Sequence, residues 1–264
     1  MTLKYSAHLF FVTRVPHLPE FMKNLNHRST AGFTLVELLV VIVIIATLAA
    51  LSFIGLARMR SAGDRAATIG IMRQLQIANT GYATDHNGQY VPIVSKDKGG
   101  ALSMEWYRDP SFLTYLTGDP SFSEKSASQL LIAPSSILDP LVVRGKKRYW
   151  DRLCSSYGFN STGLTYPTDD QSAPYAYRMS QIADPVRTAF MATATDYTVT
   201  YGGRNLWKSR PVEGKSTDSK MAFRHDGKAV IVYYDGSTGF ITFGDLKRFD
   251  ANGGIANPFW KATR

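Results

Sequence analysis

The sequence predicts an α+β chain in which one long N-terminal helix, first membrane-spanning and then a spine, leads into a C-terminal globular domain on an antiparallel β-sheet. Three observations predict it. Residues 33–57, FTLVELLVVIVIIATLAALSFIGLA, carry a single charge, Glu37. Apolar residues then recur at helical spacing as far as about residue 84. Far downstream, two Asp-Gly pairs bracket the β-branched and aromatic run Ala229-Val230-Ile231-Val232-Tyr233-Tyr234.

As a helix, the 25 residues 33–57 rise about 37 Å at about 1.5 Å per residue, enough to cross a bilayer core of about 30 Å. A secretory signal has an apolar stretch of only about 7 to 15 residues, so the run fits an anchor better; a cut near residues 46–50 is the alternative. Lys23 and Arg28 precede the run while Arg58, Arg60 and Arg65 follow it, so flanking charge leaves the orientation open. A carboxylate at mid-bilayer costs at least about 2.5–3.5 kcal/mol, but Glu37 lies only about 6 Å along the helix from Phe33. A cut after Gly32 would bring it near the interface and create an amine on Phe33. In apolar surroundings that carboxylate and a neighbouring subunit's amine are mutual counter-ions. The alternative is a glutamate that snorkels to the headgroups.

Beyond Ala57, Ile69, Met72, Leu75, Ala78 and Tyr82 form one stripe, with Arg58, Arg60, Asp64, Arg65 and Arg73 on other faces. A single helix over 33–84 would be about 78 Å long. Gly63, Gly70 and Gly81 weaken it, and Asp85-His86-Asn87-Gly88 ends it as a turn. Trp106 and Tyr107 read as core, and residues 112–116 as a short helix. Lys146-Lys147-Arg148 reads as a solvated loop within a loop-rich stretch. Asp226-Gly227 is a tight hairpin turn into a strand, and Asp235-Gly236 a second turn into residues 239–243. The result is a three-stranded meander whose middle strand, apolar on both faces, is central and packs on the helix.

A net charge of +9 from 30 basic and 21 acidic residues is scattered along the chain, so no nucleic-acid partner is expected. The single Cys154 excludes an intramolecular disulfide and reads as a small buried hydrophobe. No phosphate-binding loop, dinucleotide fingerprint, nucleophile elbow or HExxH helix is present, and His17, His27, His86 and His225 stand apart from Cys or Glu at zinc spacing. Two readings of His225 and Asp235 stand side by side: a catalytic or metal-binding pair meeting at a sheet end, or two residues that satisfy loop backbone groups.

GFTLVELLVVIVIIATLAAL resembles the class III signal of type IV prepilins and type II secretion pseudopilins. The resemblance implies cleavage after Gly32 and N-methylation of Phe33 by a prepilin peptidase and N-methyltransferase, with Glu37 pairing with a neighbour's N-terminus in assembly. It divides the chain into a leader (1–32), a transmembrane half-helix (33–57), an amphipathic half (58–84) and a globular pilin-like domain (85–264). Two departures stand out. The leader is long, with Met22 opening one of typical size, and Ile54-Gly55 stands where many relatives carry a proline. Removing 1–32 leaves 26 basic against 20 acidic residues, or +6.

The likeness extends downstream. Asn87-Gly88-Gln89-Tyr90 is similar to an N-G-x-Y-P segment, and Ser156-Tyr157-Gly158-Phe159-Asn160 to an SYGxN segment, while the family's cysteine-proline pair is here Ala133-Pro134. His225 followed by Asp235 and Gly236 matches the H-x9-DG motif of prepilin-like proteins of planctomycete and verrucomicrobial type. The resemblance implies a non-enzymatic filament subunit, of a type IV pilus or a secretion pseudopilus, anchored in the inner membrane with a periplasmic C-terminal domain. Its partners would be the peptidase, other pilin or pseudopilin subunits, the assembly platform and the lipid bilayer. No cofactor is expected. Calcium, the alternative, wants about six to eight oxygen ligands, and Asp169, Asp170, Asp184, Asp196, Asp235, Asp245 and Asp250 fall at no known loop spacing. The rival reading is a membrane-tethered envelope enzyme or ligand-binding domain with His225 and Asp235 at its site.

Overall fold

The computed structural model describes residues 32–96, 102–124, 133–145, 153–164, 175–201 and 221–263. Residues 1–31 of the leader, the start at Met22, the run Lys146-Lys147-Arg148 and the pair Asp169-Asp170 lie outside the described residues. The chain forms two compact units, residues 1–52 and 53–264.

Helix α1 runs unbroken over Leu35–Asp85, so the apolar run and the amphipathic stretch are one helix and its glycines are absorbed within it. Its most apolar 18-residue window has none of its surface buried. Further along, one face is covered: Met72, Leu75, Asn79 and Ala83 are wholly buried, with Thr68, Ala78 and Tyr82 beside them. This is the expected stripe, except that Ile69 sits at its margin, half-buried. The helix stops where Asn87 (φ 54°) and Gly88 (φ 76°) turn left-handed and the Gly88 N–H returns to Ala83 O. Asn and Gly suit that conformation, and the returning amide satisfies a terminal carbonyl.

Strands β1 (Val94–Lys96) and β2 (Leu102–Glu105) form an antiparallel ribbon. Helix α2 (Pro110–Thr117) follows, capped by the Asp109 carboxylate on the Phe112 N–H, with Pro110 at its first position and Gly118 at its end. Trp106 and Tyr107 are core, as expected. After helix α3 (Pro140–Gly145) come β3 (Tyr157–Asn160), β4 (Ala189–Thr193), β5 (Thr198–Val199), β6 (Lys228–Tyr233), β7 (Thr238–Thr242) and α4 (Phe243–Ala251). The five strands stand in the order β5-β3-β4-β6-β7. The pairs are antiparallel, as expected, except β3 with β5, which run parallel.

Strand β6 is interior, between β4 and β7, and is buried on both faces. Val230 and Val232 join the core shared with α1, whereas Ala229 and Ile231 face a second core closed by Leu246 of α4 and by Phe259 and Trp260. The expected meander needs one correction. Over the described residues 221–227 ahead of β6 there is no strand, only single bridges from Met221 to Ala194 and from His225 to Lys228, and the second neighbour of β6 is β4. The reason lies in Thr193: its carbonyl accepts the Ala222 N–H and its hydroxyl donates to Ala222 O, drawing residues 221–222 onto the end of β4. The Asp226-Gly227 turn forms as expected, both residues left-handed.

At Gly158 of β3 the chain comes too close for a side chain. A Cβ there would lie 2.7 Å from Asp196 O and 2.8 Å from the Ala194 Cβ. This is a physical reason for glycine in Ser156-Tyr157-Gly158-Phe159-Asn160. Cys154 is buried, and Ala133 packs against the same core.

Candidate functional site

Two regions hold the residues singled out by sequence, and they differ in kind. In the first unit, Gly32 and Phe33 are exposed ahead of α1. Thr34 and Glu37 then form a reciprocal cap. The Thr34 N–H and hydroxyl both donate to Glu37 Oε2 at 2.9 Å, and the Glu37 N–H donates back to Thr34 Oγ1 at 3.2 Å. The cap satisfies two backbone N–H groups, those of Thr34 and Glu37, and puts a carboxylate at the positive end of the helix dipole. Thr-x-x-Glu ahead of an apolar run is the local signal that reveals this role, and the sequence reading of Glu37 as an assembly residue alone passed over it. Around the cap Leu35, Val36, Leu38 and Leu39 are all exposed, so among the described residues only Thr34 attends the carboxylate.

In the second unit the H-x9-DG residues separate. His225 precedes β6 and Asp235 follows it, at opposite ends of a six-residue strand about 20 Å long. The expectation that they could meet at one sheet end is therefore corrected: the strand between them is extended, and the chain does not fold back until after Tyr233. Asp235 serves its own turn, accepting from the Ser237 N–H (2.9 Å) and hydroxyl (2.7 Å), with Gly236 at φ 84°. That is a backbone-satisfying role, as the second reading held.

His225 instead meets Asp139, which sequence reasoning missed. Its Nε2 lies 3.2 Å from Asp139 Oδ2, with both side chains essentially sealed from solvent. Arg224 Nη1 stands 3.5 Å from the same oxygen, while the Leu141 N–H donates to Oδ1 at 2.8 Å. Arg224 also donates to the carbonyls of Ser155, Ser156 and Ala194. Burial pushes the Asp139 carboxyl up, but the hydrogen bond from His225, the Arg224 guanidinium and the Leu141 N–H outweigh it, and the net direction is below the usual carboxylate range. Asp139-Pro140 is legible locally as a helix start, and Asp139 does cap α3; its distant partners carry no local signal.

This cluster backs a cleft of about 320 Å³ lined by Arg60, Ser61, Asp64, Arg144, His225 and Asp226. Ion pairs frame it: Arg144 with Asp64, and Arg65 with Asp226 at 2.8 Å. The Ser61 hydroxyl donates to Asp226 at 3.2 Å, which occupies the one nucleophile on the wall. Among the described residues no three His, Cys, Asp or Glu side chains converge as a metal site would require.

The family model of the prokaryotic N-terminal methylation motif matches residues 27–53. The match ends within α1 and leaves the globular region uncovered. No curated protein and no solved structure matches the chain significantly.

Proposed function

We infer that the chain is a structural subunit of a type IV pilus-like or type II secretion pseudopilus filament. The observation that carries this reading is the methylation motif over residues 27–53 coinciding with an apolar helix whose most apolar window is wholly uncovered. Exposed apolar surface of that extent needs a partner. Lipid supplies it before assembly, and the same helices of neighbouring subunits supply it in a fibre. In this reading a prepilin peptidase cuts between Gly32 and Phe33, and the C-terminal domain lies on the periplasmic side. Glu37, held by its own cap in the single subunit, gains a neighbour's terminal amine on assembly, and that requirement sets the register between subunits.

The rival reading, a tethered envelope enzyme or ligand-binding domain, draws on the cleft beside His225. Against an enzyme, Asp235 is remote from that cleft and the Ser61 hydroxyl is bonded to Asp226 rather than to His225. Mass spectrometry of the native N-terminus in membrane and sheared extracellular fractions tests the choice. A chain beginning at N-methylated Phe33 and present in the sheared fraction is the expected result. An uncut chain, or one cut near Ala50, would move the rival to the front. Gly32→Leu should abolish cleavage, and a normally processed variant would overturn the assigned cut site.

A further inference from the structure

We propose that the cleft between α1, α3 and the turn at Arg224-His225-Asp226 holds the headgroup of a phosphatidylethanolamine lipid, its phosphate on Arg60 and Arg144 and its ammonium on Asp226. The proposal rests on the membrane-anchored reading of α1.

Depth is the first argument. The exposed apolar surface of α1 continues through Phe53 and Leu56 and ends at Ala57, which itself lines the cleft. Arg60 and Ser61 follow about 5–6 Å further along the helix, the level of headgroups rather than of acyl chains. Phe53 and Leu56, exposed on the turn before Ala57, leave apolar surface for the acyl chains.

Charge is the second. Arg144 pairs with Asp64 and Arg65 with Asp226, each pair keeping donors or acceptors to spare, whereas Arg224 is engaged by Asp139 and three carbonyls. Arg60 lines the same wall with no ion-pair partner among the described residues. A simple anion entering would face the carboxylates of Asp64 and Asp226, and a simple cation would face three guanidinium groups. A zwitterion sets each charge against its complement. Arginine is suited to the phosphate because its planar fork donates two parallel hydrogen bonds. The acceptor for the ammonium is held in place, since Asp226 is fixed by Ser61 and Arg65.

The test uses the full chain in detergent, delipidated and titrated with phosphatidylethanolamine, phosphatidylglycerol or phosphatidylcholine, with bound lipid read by native mass spectrometry. Phosphatidylethanolamine should bind most tightly, because the methylated ammonium of phosphatidylcholine cannot donate to Asp226. Arg60→Ala should weaken it about tenfold, the loss of one charge-assisted contact, while Arg58→Ala, outside the cleft, should not. Asp226→Asn, which the left-handed backbone at φ 52° tolerates, should erase the preference over phosphatidylglycerol. Equal binding by wild type and Arg60→Ala, or an equal loss in Arg58→Ala, would overturn the proposal while leaving the anchor intact. A chain that stays monomeric and dispersed after detergent is withdrawn without lipid would overturn the anchor reading itself.

Discussion

Glu37 and Asp139 are both carboxylates in apolar sequence surroundings, and the chain treats them in opposite ways. Glu37 stands on an uncovered helix and its hydrogen bonds go to Thr34, three residues away. Asp139 is wholly buried, enclosed by Arg224, by His225 and by the Leu141 N–H. Asp139 is completed by distant parts of the fold; Glu37 is completed only by its own helix cap. An acid whose neighbours are all local and exposed costs the folded monomer little to lose, whereas one that joins distant segments holds the fold together. The same contrast repeats at smaller scale along β6, where His225 reaches across 86 residues of sequence and Asp235 only two.

The contrast can be broken most sharply at Glu37. Glu37→Ala should leave leader cleavage and the melting temperature of the globular region unchanged while cutting recovery in sheared filaments by about tenfold or more, since an unpaired amine would remain in an apolar setting. Unchanged filament yield would remove the register role. The converse holds for Asp139→Asn, which removes the buried carboxylate facing both Arg224 and His225. A loss of about 3 kcal/mol is expected, seen as a fall in melting temperature of about 6–12 °C for the full chain in detergent. A melting temperature unchanged within error would show that the cluster is not structural.

The pH dependence sharpens this. Asp139 titrates below its ordinary value of 3.8 when folded, so its contribution is fully present above that value and is lost as pH falls through the lower folded value. Wild type should therefore lose stability in that acid range, and Asp139→Asn should show a flatter acid limb.

Gly158→Ala tests a shape requirement rather than a charge. With Asp196 O at 2.7 Å from the added Cβ, backbone must move, and a cost of about 2–3 kcal/mol is expected by thermal melting. A stability equal to wild type would mean that β5 is free to shift away. The smallest effect belongs to Asp235→Ala. It removes two hydrogen bonds within an exposed turn and should cost about 1 kcal/mol, well under the Asp139 variant. If Asp235→Ala proved the more damaging, the assignment of unequal roles to the two ends of the motif would fall.

Much of the architecture was legible because it is decided locally. A 3.6-residue period, the Asp85-His86-Asn87-Gly88 stop and the Asp226-Gly227 turn act over a few residues, and each is found where expected. The Thr34–Glu37 cap was equally legible, since its signal spans four residues, yet it was overlooked beside the stronger reading of Glu37 in assembly. The first strand of the meander and the partner of His225 were not legible, for a different reason. Both required knowing which neighbour a strand end would find, and Thr193 and Asp139 win those contacts from far along the chain.

By itself, then, the sequence determines the long helix, its apolar and amphipathic halves, the methylation motif at its start and the turns flanking β6, because hydrophobic period, capping and turn chemistry are short-range. Only the tertiary structure decides that His225 belongs to Asp139, that β6 lies beside β4, and that Arg60 and Asp226 share one cleft. Those pairings follow from how separate elements pack around the two cores, and packing selects partners by shape and burial rather than by their distance in sequence.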